Sequence, residues 1–462
     1  MNKYVSPILE EIRNSPVEDA LKQAHDYSLD YLKNLENMPV YPKPSDIDNL
    51  SVFDEDMPTA PASTKEILDL LGTYGSKATV AQTGGRYFGF VVGGNLPAVL
   101  SSRWLSDTWD QNSAMYVHSP IASKLESICE KWLVELLGFP EDTAVGLVTG
   151  SSLAIMCGLA AGRNKLLSNL GWDVAADGLF GAPQLKVVVS EEAHSTDMKM
   201  LSVLGLGQNT VTKIPTDYNG AMRMDLLPEL DNRTLLILQA GNLHSGAFDD
   251  FTVACMKAKK AGAWVHVDGA IGLWAAANDN MNHLTDGLAL ADSWNTDGHK
   301  TLNTAYDIGI VFCKDRKALV NAMHMTGDYI ILSDDRDNMM YTPEMSRRAR
   351  GIDIWAVLKS LGKNGVNQLV EELHQKAAYF SEELSKNGFE ILNEVVFNQI
   401  SLVWKNNKST EALAKKLQSS GVMWLGGSKW KGRNIIRISV SGYKTTYNDI
   451  DLCVKEFIRC AK

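Results

Sequence analysis

The sequence lacks the features that mark membrane, nucleic-acid-binding and disulfide-linked proteins. No apolar run approaches the roughly 20 residues needed to span a bilayer, and the amino-terminal residues lack the apolar core of a signal peptide. No long basic run is present and the net charge is −10, which argues against a nucleic-acid or anionic-membrane partner. The six cysteines are scattered without CxxC spacing, which indicates reduced thiols. These absences favour a cytoplasmic protein.

The sequence also lacks the motifs of two large enzyme classes. Its nine histidines do not cluster, and neither HExxH nor a Cys/His ligand spacing occurs, so we expect no metal site. No GxSxG turn follows a strand, which disfavours a Ser/His/Asp hydrolase. The chemistry must therefore come from other side chains.

The pattern of apolar residues predicts three regions in this 462-residue chain. They are residues 1–80, a helical arm and proline-rich linker; 81–350, a large domain; and 351–462, a smaller α+β domain. In the large domain, apolar strands alternate with helices, which is typical of an α/β fold with a mostly parallel sheet covered on both faces. The predicted strands are 145–148, 186–189, 234–238, 263–268 and 308–313. Ligands of such sheets bind beyond the carboxyl ends of the strands.

The most informative stretch is a strand that ends in an acid, followed by a lysine in a polar segment. The strand 263–268 ends at Asp268, and Lys300 closes the segment 292–300, which we interpret as a turn. Pyridoxal phosphate needs both groups, because a lysine holds it as a Schiff base and an acid keeps its ring nitrogen protonated. Alone, either residue has an ordinary explanation, as a surface lysine or a helix cap. Together they indicate a carbanion-generating enzyme that acts on an amino compound.

Three further residues suit the phosphate of this cofactor. Ser151 and Ser152 lie between a strand and a helix, where backbone N–H groups and hydroxyls bind anions. An ordinary helix cap is the alternative explanation for this pair. His299, which precedes the lysine, could donate to the same phosphate.

Three other positions follow strands and could contact the ring or the substrate. Ala270 is small and leaves room for a flat ring beside Asp268. Asn242 and His244 follow another strand, and either could reach the cofactor or the substrate.

Several motifs along residues 70–455 together resemble the group II pyridoxal phosphate-dependent decarboxylases. That family includes the aromatic amino acid, histidine and glutamate decarboxylases. The matching segments are His266-Val267-Asp268-Gly269-Ala270, Ala291 to Lys300, Ala193-His194-Ser195, Ser119-Pro120 with Leu125-Glu126, Arg347-Arg348-Ala349-Arg350 with Trp355, and Arg433 with Arg437-Ile438-Ser439-Val440.

The resemblance implies the pyridoxal phosphate-dependent transferase fold of the aspartate aminotransferase type (fold type I). It also implies a homodimer with its sites at the interface and a small-molecule substrate, an amino acid. It gives His194 the role of stacking on the cofactor ring and handling a proton. It further implies a mobile loop with a proton-donating tyrosine, for which Tyr341 and Tyr329 are the candidates. The expected catalytic set is Lys300, His194, Asp268 and Tyr341.

One departure from the family bears on the phosphate. The family's Asn-Pro-His-Lys-Trp is Asp297-Gly298-His299-Lys300-Thr301 here, so an acid replaces an amide that contacts the phosphate.

The resemblance predicts α-decarboxylation of an L-amino acid through a Lys300 Schiff base and a quinonoid. Transamination and aldol-type or other carbon–carbon cleavage use the same parts, and an inactive homologue that acts as a binding protein is a remote alternative. An aminotransferase would clamp the substrate carboxylate with an arginine. Arg433 and Arg437 are available for this, but the resemblance makes them structural.

The substrate side chain is less defined by the sequence. Four aromatic residues hint at an apolar or aromatic side chain, although such residues are more often part of a core. They are Tyr87, Phe88, Phe90 and Trp104.

Overall fold

Apolar runs of the sequence form the strands of two sheets, and amphipathic segments form the helices around them. The computed structural model describes residues 6–324 and 332–462. Its helices are α1 Pro7–Arg13, α2 Val17–Asn34, α3 Pro44–Asp48, α4 Thr64–Leu70, α5 Pro97–Trp109, α6 Pro120–Leu136, α7 Ser151–Asn169, α8 Val174–Asp177, α9 Ser195–Val203, α10 Phe251–Ala261, α11 Arg316–Met323, α12 Arg350–Lys386, α13 Asn407–Ser419 and α14 Tyr447–Ala461. Its strands are β1 Ala144–Val148, β2 Lys186–Ser190, β3 Thr212–Ile214, β4 Thr234–Gln239, β5 Trp264–Asp268, β6 Ser293–Asp297, β7 Gly309–Cys313, β8 Glu390–Ile391, β9 Gln399–Val403, β10 Gly426–Trp430 and β11 Arg433–Ser439.

The larger sheet has seven strands in the order β1-β7-β6-β5-β4-β2-β3. Strand β7 is antiparallel to both of its neighbours, and the other neighbouring pairs are parallel. Alternate residues enter different cores, since Leu236 and Val265 pack with α10 while Leu235 and Ile237 pack with α7 and α9. The sheet is therefore covered on both faces, and the five predicted strands are present in it.

The prediction of a turn over residues 292–300 was wrong in its first part. Residues Ser293–Asp297 form β6, a fully buried strand between β5 and β7. Trp294 packs into the core, whereas Ser293 and Asn295 hydrogen-bond to polar side chains of β5. The polar residues that suggested a turn are thus satisfied by partners inside the sheet.

Helix α7 lies unusually close to the central strands. A Cβ added at Gly158 would come within 2.5 Å of the His266 ring on β5, so a larger residue would push the helix away from the sheet. This close approach places the amino terminus of α7 at the carboxyl ends of the strands.

The smaller sheet is antiparallel, in the order β10-β11-β9-β8. Its buried face packs with α12, α13 and α14. Helix α12 is interrupted at Gly362, where φ is +60°. The boundary predicted at residue 350 lies at the start of α12, and the three-domain division stays a prediction.

The amino-terminal arm consists of α1 and α2, and no residue of either helix is buried. The proline-rich linker predicted within residues 1–80 contains the short helix α3. Among the helices of the described residues, none has the length and apolar character of a bilayer-spanning segment.

A buried ion pair connects the large sheet to the start of α12. The Arg347 guanidinium donates to Glu126 on α6 with an N–O distance of 2.7 Å, and to the Leu147 carbonyl on β1 at 2.5 Å. Both side chains are almost completely buried. Because a buried charge is costly without its partner, each residue depends on the other.

We expect Glu126→Leu to lower the free energy of unfolding by about 3–5 kcal/mol, since it leaves the Arg347 charge buried and unpaired. Urea unfolding followed by circular dichroism would measure this loss.

The control is Glu135→Leu, at the exposed end of the same helix. Glu135 pairs with Lys363, and both side chains are largely exposed, so the change should be under about 1 kcal/mol. Equal losses from both substitutions would contradict the importance given to the buried pair.

Candidate active site

A cavity of about 360 Å³ opens where the carboxyl ends of the central strands meet the amino terminus of α7. Its volume is in the range of small-molecule sites. The polar side chains that line it come from six separate stretches of the chain. They are Ser151, Ser152, His194, Thr196, Gln239, Asp268, Asp297, His299, Lys300 and Arg437. The fold therefore brings together residues that lie far apart in sequence.

Lys300 is held by a buried carboxylate rather than exposed to solvent. Its Nζ lies 2.8 Å from Asp297 Oδ2. The same carboxylate accepts hydrogen bonds of 2.7 Å from the backbone N–H and from the hydroxyl of Ser151, the first residue of α7. Burial alone would raise the pKa of Asp297, but the charges of Lys300 and His299 outweigh it and hold this pKa below its usual value.

Asp268 ends a chain of hydrogen bonds that runs through β5 and β6. Asn295 donates to Asp268 Oδ1 at 2.9 Å and accepts from His266 Nε2 at 3.0 Å. Ser293 bonds to His266 Nδ1 at 2.8 Å and accepts from the Trp264 indole at 3.0 Å. Burial lowers the pKa of His266 to about 4, so its ring is neutral and carries one proton. The network fixes the orientation of the Asp268 carboxylate toward the cavity.

His194 caps α9 and has a defined tautomer. Its Nδ1 accepts a hydrogen bond of 3.1 Å from the Thr196 N–H, which places the ring proton on Nε2. Burial lowers its pKa, and the charges of Lys300 and Arg437 add to this effect although Asp268 opposes it. The neutral His194 ring thus lines the cavity, and its Nε2–H donor is not used in capping α9.

The segment 87–94 packs directly against the lysine backbone. A Cβ at Gly93 would lie 2.1 Å from the Lys300 carbonyl oxygen, so only glycine fits there. Phe90, three residues before Gly93, has a φ of +51°, an uncommon value for a residue other than glycine. Its ring is 64% exposed at the cavity and stacks on Trp424 at 5.2 Å between centroids.

Asn303 joins this region to the smaller sheet. Its amide donates to the Ser441 carbonyl at 3.0 Å, and its oxygen accepts from the N–H groups of Gly94 and Tyr443. The lysine turn, the segment before α5 and the end of β11 are therefore connected through one side chain.

Two features in or beside the cavity were not among the predicted site residues. Arg437 lines the cavity and is 8% exposed, and its one hydrogen bond to the described protein goes to the Leu243 carbonyl at 3.4 Å. Burial lowers its pKa to about 10. Arg433 instead pairs with Glu390 at the surface. Both arginines occur in one motif and their spacing puts them on the same face of β11, but only Arg437, nearer the end of the strand, reaches the cavity.

The second feature is a buried carboxyl group one turn after His194. Asp197 is completely buried, and neither of its oxygens has a hydrogen-bond partner in the described chain. Burial raises its pKa well above the usual value, and the charge of Asp268 adds to this shift. The sequence around it gives no sign of this environment.

The structure brings most of the predicted residues together. Those that line the cavity are Lys300, Asp268, His194, Ser151, Ser152, Ala270 and His299. Asn242 instead bonds to Glu192 and to backbone groups. The Tyr341 hydroxyl accepts from Arg316, its ring lies under Arg336, and it is not among the cavity residues of the described chain. Tyr329 lies outside the described residues.

The donor set of the cavity fits pyridoxal phosphate. A carboxylate is positioned for a ring nitrogen, a lysine for the aldehyde and a neutral imidazole between them. The amino terminus of α7 already binds an anion, because the Asp297 carboxylate accepts two hydrogen bonds there. Asp297 is the member of the set whose negative charge lies where a phosphate would bind.

Comparison with known proteins gives a consistent result. A family model described as the pyridoxal-dependent decarboxylase conserved domain matches residues 50–405. The chain is 24% identical to tyrosine decarboxylase 2 of Arabidopsis thaliana, over 93% of this chain and 85% of that protein. It is also 24% identical to phenylacetaldehyde synthase of Petunia hybrida, over 92% of this chain and 90% of that protein.

Solved structures share the fold over nearly the whole chain. Tryptophan decarboxylase of Catharanthus roseus in complex with L-tryptophan superposes with a TM-score of 0.85 at 20% identity, covering 97% of this chain and 100% of that one. Mouse CSAD gives a TM-score of 0.87 at 21% identity, covering 96% and 99%. The predicted fold class, an α/β fold of type I, is confirmed.

We expect Lys300→Ala to remove the visible absorbance of the protein after incubation with pyridoxal phosphate, because the amine that links the cofactor is lost. Spectra recorded after gel filtration would measure bound cofactor. Lys260→Ala, which changes an exposed lysine of α10, is the control and should keep the band. A band that persists in the Lys300 variant would assign the link to another amine.

Proposed function

The chain belongs to the pyridoxal-dependent decarboxylase family, and on that premise we propose that its substrate is an L-amino acid with an aromatic or other apolar side chain. The enzyme is a pyridoxal phosphate-dependent lyase that releases carbon dioxide from an amino acid. What distinguishes members of such a family is the side chain they accept, and this depends on the surface of the cavity beyond the cofactor.

The observation that supports an aromatic substrate is the apolar lining at the mouth of the cavity. Phe90 is largely exposed there, and Val91, Leu243 and Ile271 lie around it. A large exposed aromatic ring costs free energy unless another apolar group covers it. An aromatic side chain of the substrate would cover Phe90. The relatives named tyrosine decarboxylase and tryptophan decarboxylase act on substrates of this kind.

The residues of the chain have distinct roles in this proposal. Bound pyridoxal phosphate supplies an electron sink for the pair left when a bond at Cα breaks. The Lys300 amine holds the cofactor, and the Asp268 carboxylate, oriented by Asn295, holds the proton of the ring nitrogen. His194, which lines the cavity, would stack on the cofactor ring, and its Nε2–H would supply a proton to the substrate. Phe90 orients the substrate so that its carboxylate lies in apolar surroundings.

Arg437 favours a second candidate, the decarboxylation of an acidic amino acid. Its guanidinium is buried in the cavity and has little hydrogen bonding from the described protein. A carboxylate or sulfinate on the substrate side chain would pair with it. The aromatic candidate is preferred because the apolar lining is more extensive than this single charge.

We also propose that the enzyme is a homodimer built on the amino-terminal arm. Large apolar side chains of α1 and α2 are exposed in one chain, among them Ile12 at 58% and Leu21 at 58%. Trp104 on α5 is also exposed, and together with Tyr27 on α2 it lines a groove beside the arm. Apolar surface of this extent usually marks a protein–protein interface. A second copy of the chain would bury it.

A cytoplasmic location is part of the same proposal. The six cysteines are all free and buried, as is usual in a reducing compartment.

We predict that carbon dioxide is released from L-tyrosine, L-tryptophan or L-phenylalanine and far more slowly from L-glutamate. Released carbon dioxide, measured for each amino acid with the pyridoxal phosphate-loaded enzyme, would distinguish the candidates. Release from L-glutamate or cysteine sulfinate alone would favour the Arg437 candidate and refute the aromatic one.

Phe90→Ala should raise KM for the aromatic substrate about tenfold to a hundredfold, because it removes an apolar contact worth about 1.5–3 kcal/mol. Steady-state kinetics would measure the change. Phe180→Ala is the matched control, since Phe180 is 99% exposed. An unchanged KM in the Phe90 variant would remove this ring from the substrate site.

Sedimentation velocity should give twice the mass of one chain. The double variant Ile12→Asp and Leu21→Asp should shift the protein toward monomers, because two charges enter the apolar surface. Val203→Asp, at an exposed position of α9 outside the arm, should leave the mass unchanged. A monomeric wild-type protein would contradict the proposed homodimer.

A further inference from the structure

Asp297 occupies the anion-binding position of the site. Its Oδ1 accepts from the backbone N–H of Ser151, and its Oδ2 accepts from the Ser151 hydroxyl, both at 2.7 Å. These are the donors that a phosphate at the amino terminus of α7 would use. A carboxylate of the protein and a phosphate of the cofactor therefore require the same hydrogen bonds.

The Asp297 side chain cannot simply move into solvent, because it is 2% exposed. It lies at the carboxyl end of β6, where its backbone is paired with Gly309 of β7. Its carbonyl oxygen also accepts a hydrogen bond from the Trp274 indole. The backbone position is thus fixed, and the carboxyl group stays beside any phosphate bound to Ser151.

The charges around Asp297 come from several elements. Lys300 lies 2.8 Å from Oδ2, and His299 Nε2 lies 3.7 Å from the same oxygen. His194 on α9 and Tyr306 after the lysine turn also interact with its charge. In the cofactor-free chain the positive charge of Lys300 stabilises the carboxylate. A phosphate adds negative charge at the same place and favours the neutral acid.

We propose that Asp297 binds the cofactor phosphate as the protonated acid, so that binding of pyridoxal phosphate takes up one proton from solution. In that form the carboxyl O–H donates to a phosphate oxygen, and the Ser151 donors pass from Asp297 to the phosphate. The proposal rests on the assignment of pyridoxal phosphate to this site. Asp297 is then both a ligand of the phosphate and the group that takes up the proton.

The sign of the pH dependence follows from this exchange. The pKa of Asp297 is lowered in the cofactor-free protein, and the adjacent phosphate raises it in the complex. Between these two pKa values, binding is coupled to protonation and becomes weaker as the pH rises. Uptake of one proton increases Kd about tenfold for each unit of pH.

Isothermal titration calorimetry of the cofactor-free protein tests this directly. Titrations at about pH 8 in two buffers of different ionisation enthalpy give the number of protons bound per cofactor. We expect about one more proton with pyridoxal phosphate than with pyridoxal, which lacks the phosphate. Any proton exchanged at the Lys300 amine is common to both ligands and cancels in this comparison.

Asp297→Asn supplies the matched variant, since an amide of the same shape donates without taking up a proton. We expect the difference between the two ligands to fall to about zero and the Kd for pyridoxal phosphate to become nearly independent of pH. An equal proton count in the wild type and in Asp297→Asn overturns the proposal. An equal number of protons taken up with pyridoxal phosphate and with pyridoxal by the wild-type protein also overturns the proposal. This second comparison uses the wild-type protein alone and does not depend on the folding of a variant.

The failure of the wider assignment would look different. If neither pyridoxal phosphate nor pyridoxal binds, both the cofactor site and this inference fall. If both bind without proton uptake, the cofactor assignment stands and Asp297 stays ionised beside the phosphate.

Discussion

The ion pair between Lys300 and Asp297 is the contact on which the rest of the site depends, because it joins the end of β6, the lysine turn and the amino terminus of α7. The carboxylate is enclosed, and its charge is balanced by an ammonium on one side and by helix donors on the other. Lys300 thereby has a defined position before any cofactor arrives. Such preorganisation reduces the free-energy cost of ordering the site when a ligand binds.

The strands could be predicted where local sequence decides the outcome. Continuous apolar runs such as 234–238 and 263–268 have few alternatives to a buried parallel sheet. Strand β6 could not be predicted in this way, since four of its five residues are polar. Its stability depends on partners that are distant in sequence, such as His266 and Asp268, and no local pattern shows that these partners will be adjacent.

The same distinction applies to the site. Lys300 and Asp268 could be found because Asp268 ends a recognisable apolar strand, Lys300 follows His299 in a polar segment, and the two residue types together point to one cofactor. Arg437 could be singled out only as one of a pair with Arg433, and Asp197 could not be singled out, since what distinguishes them is their burial and their few or missing hydrogen bonds within the described residues. The departure at Asp297 was visible in the sequence, but its two bonds to Ser151 and its contact with Lys300 required three-dimensional coordinates.

Asn303 links the position of the smaller sheet to the position of the lysine turn. Its one side chain is bonded to the end of β11 and to the segment that packs on the Lys300 carbonyl. A rotation of the small sheet would therefore be transmitted to the lysine turn rather than absorbed by a loose connection. The position of the smaller sheet and the position of Lys300 are therefore coupled through Asn303. A shift of the end of β11 would consequently move the backbone that carries the Lys300 side chain.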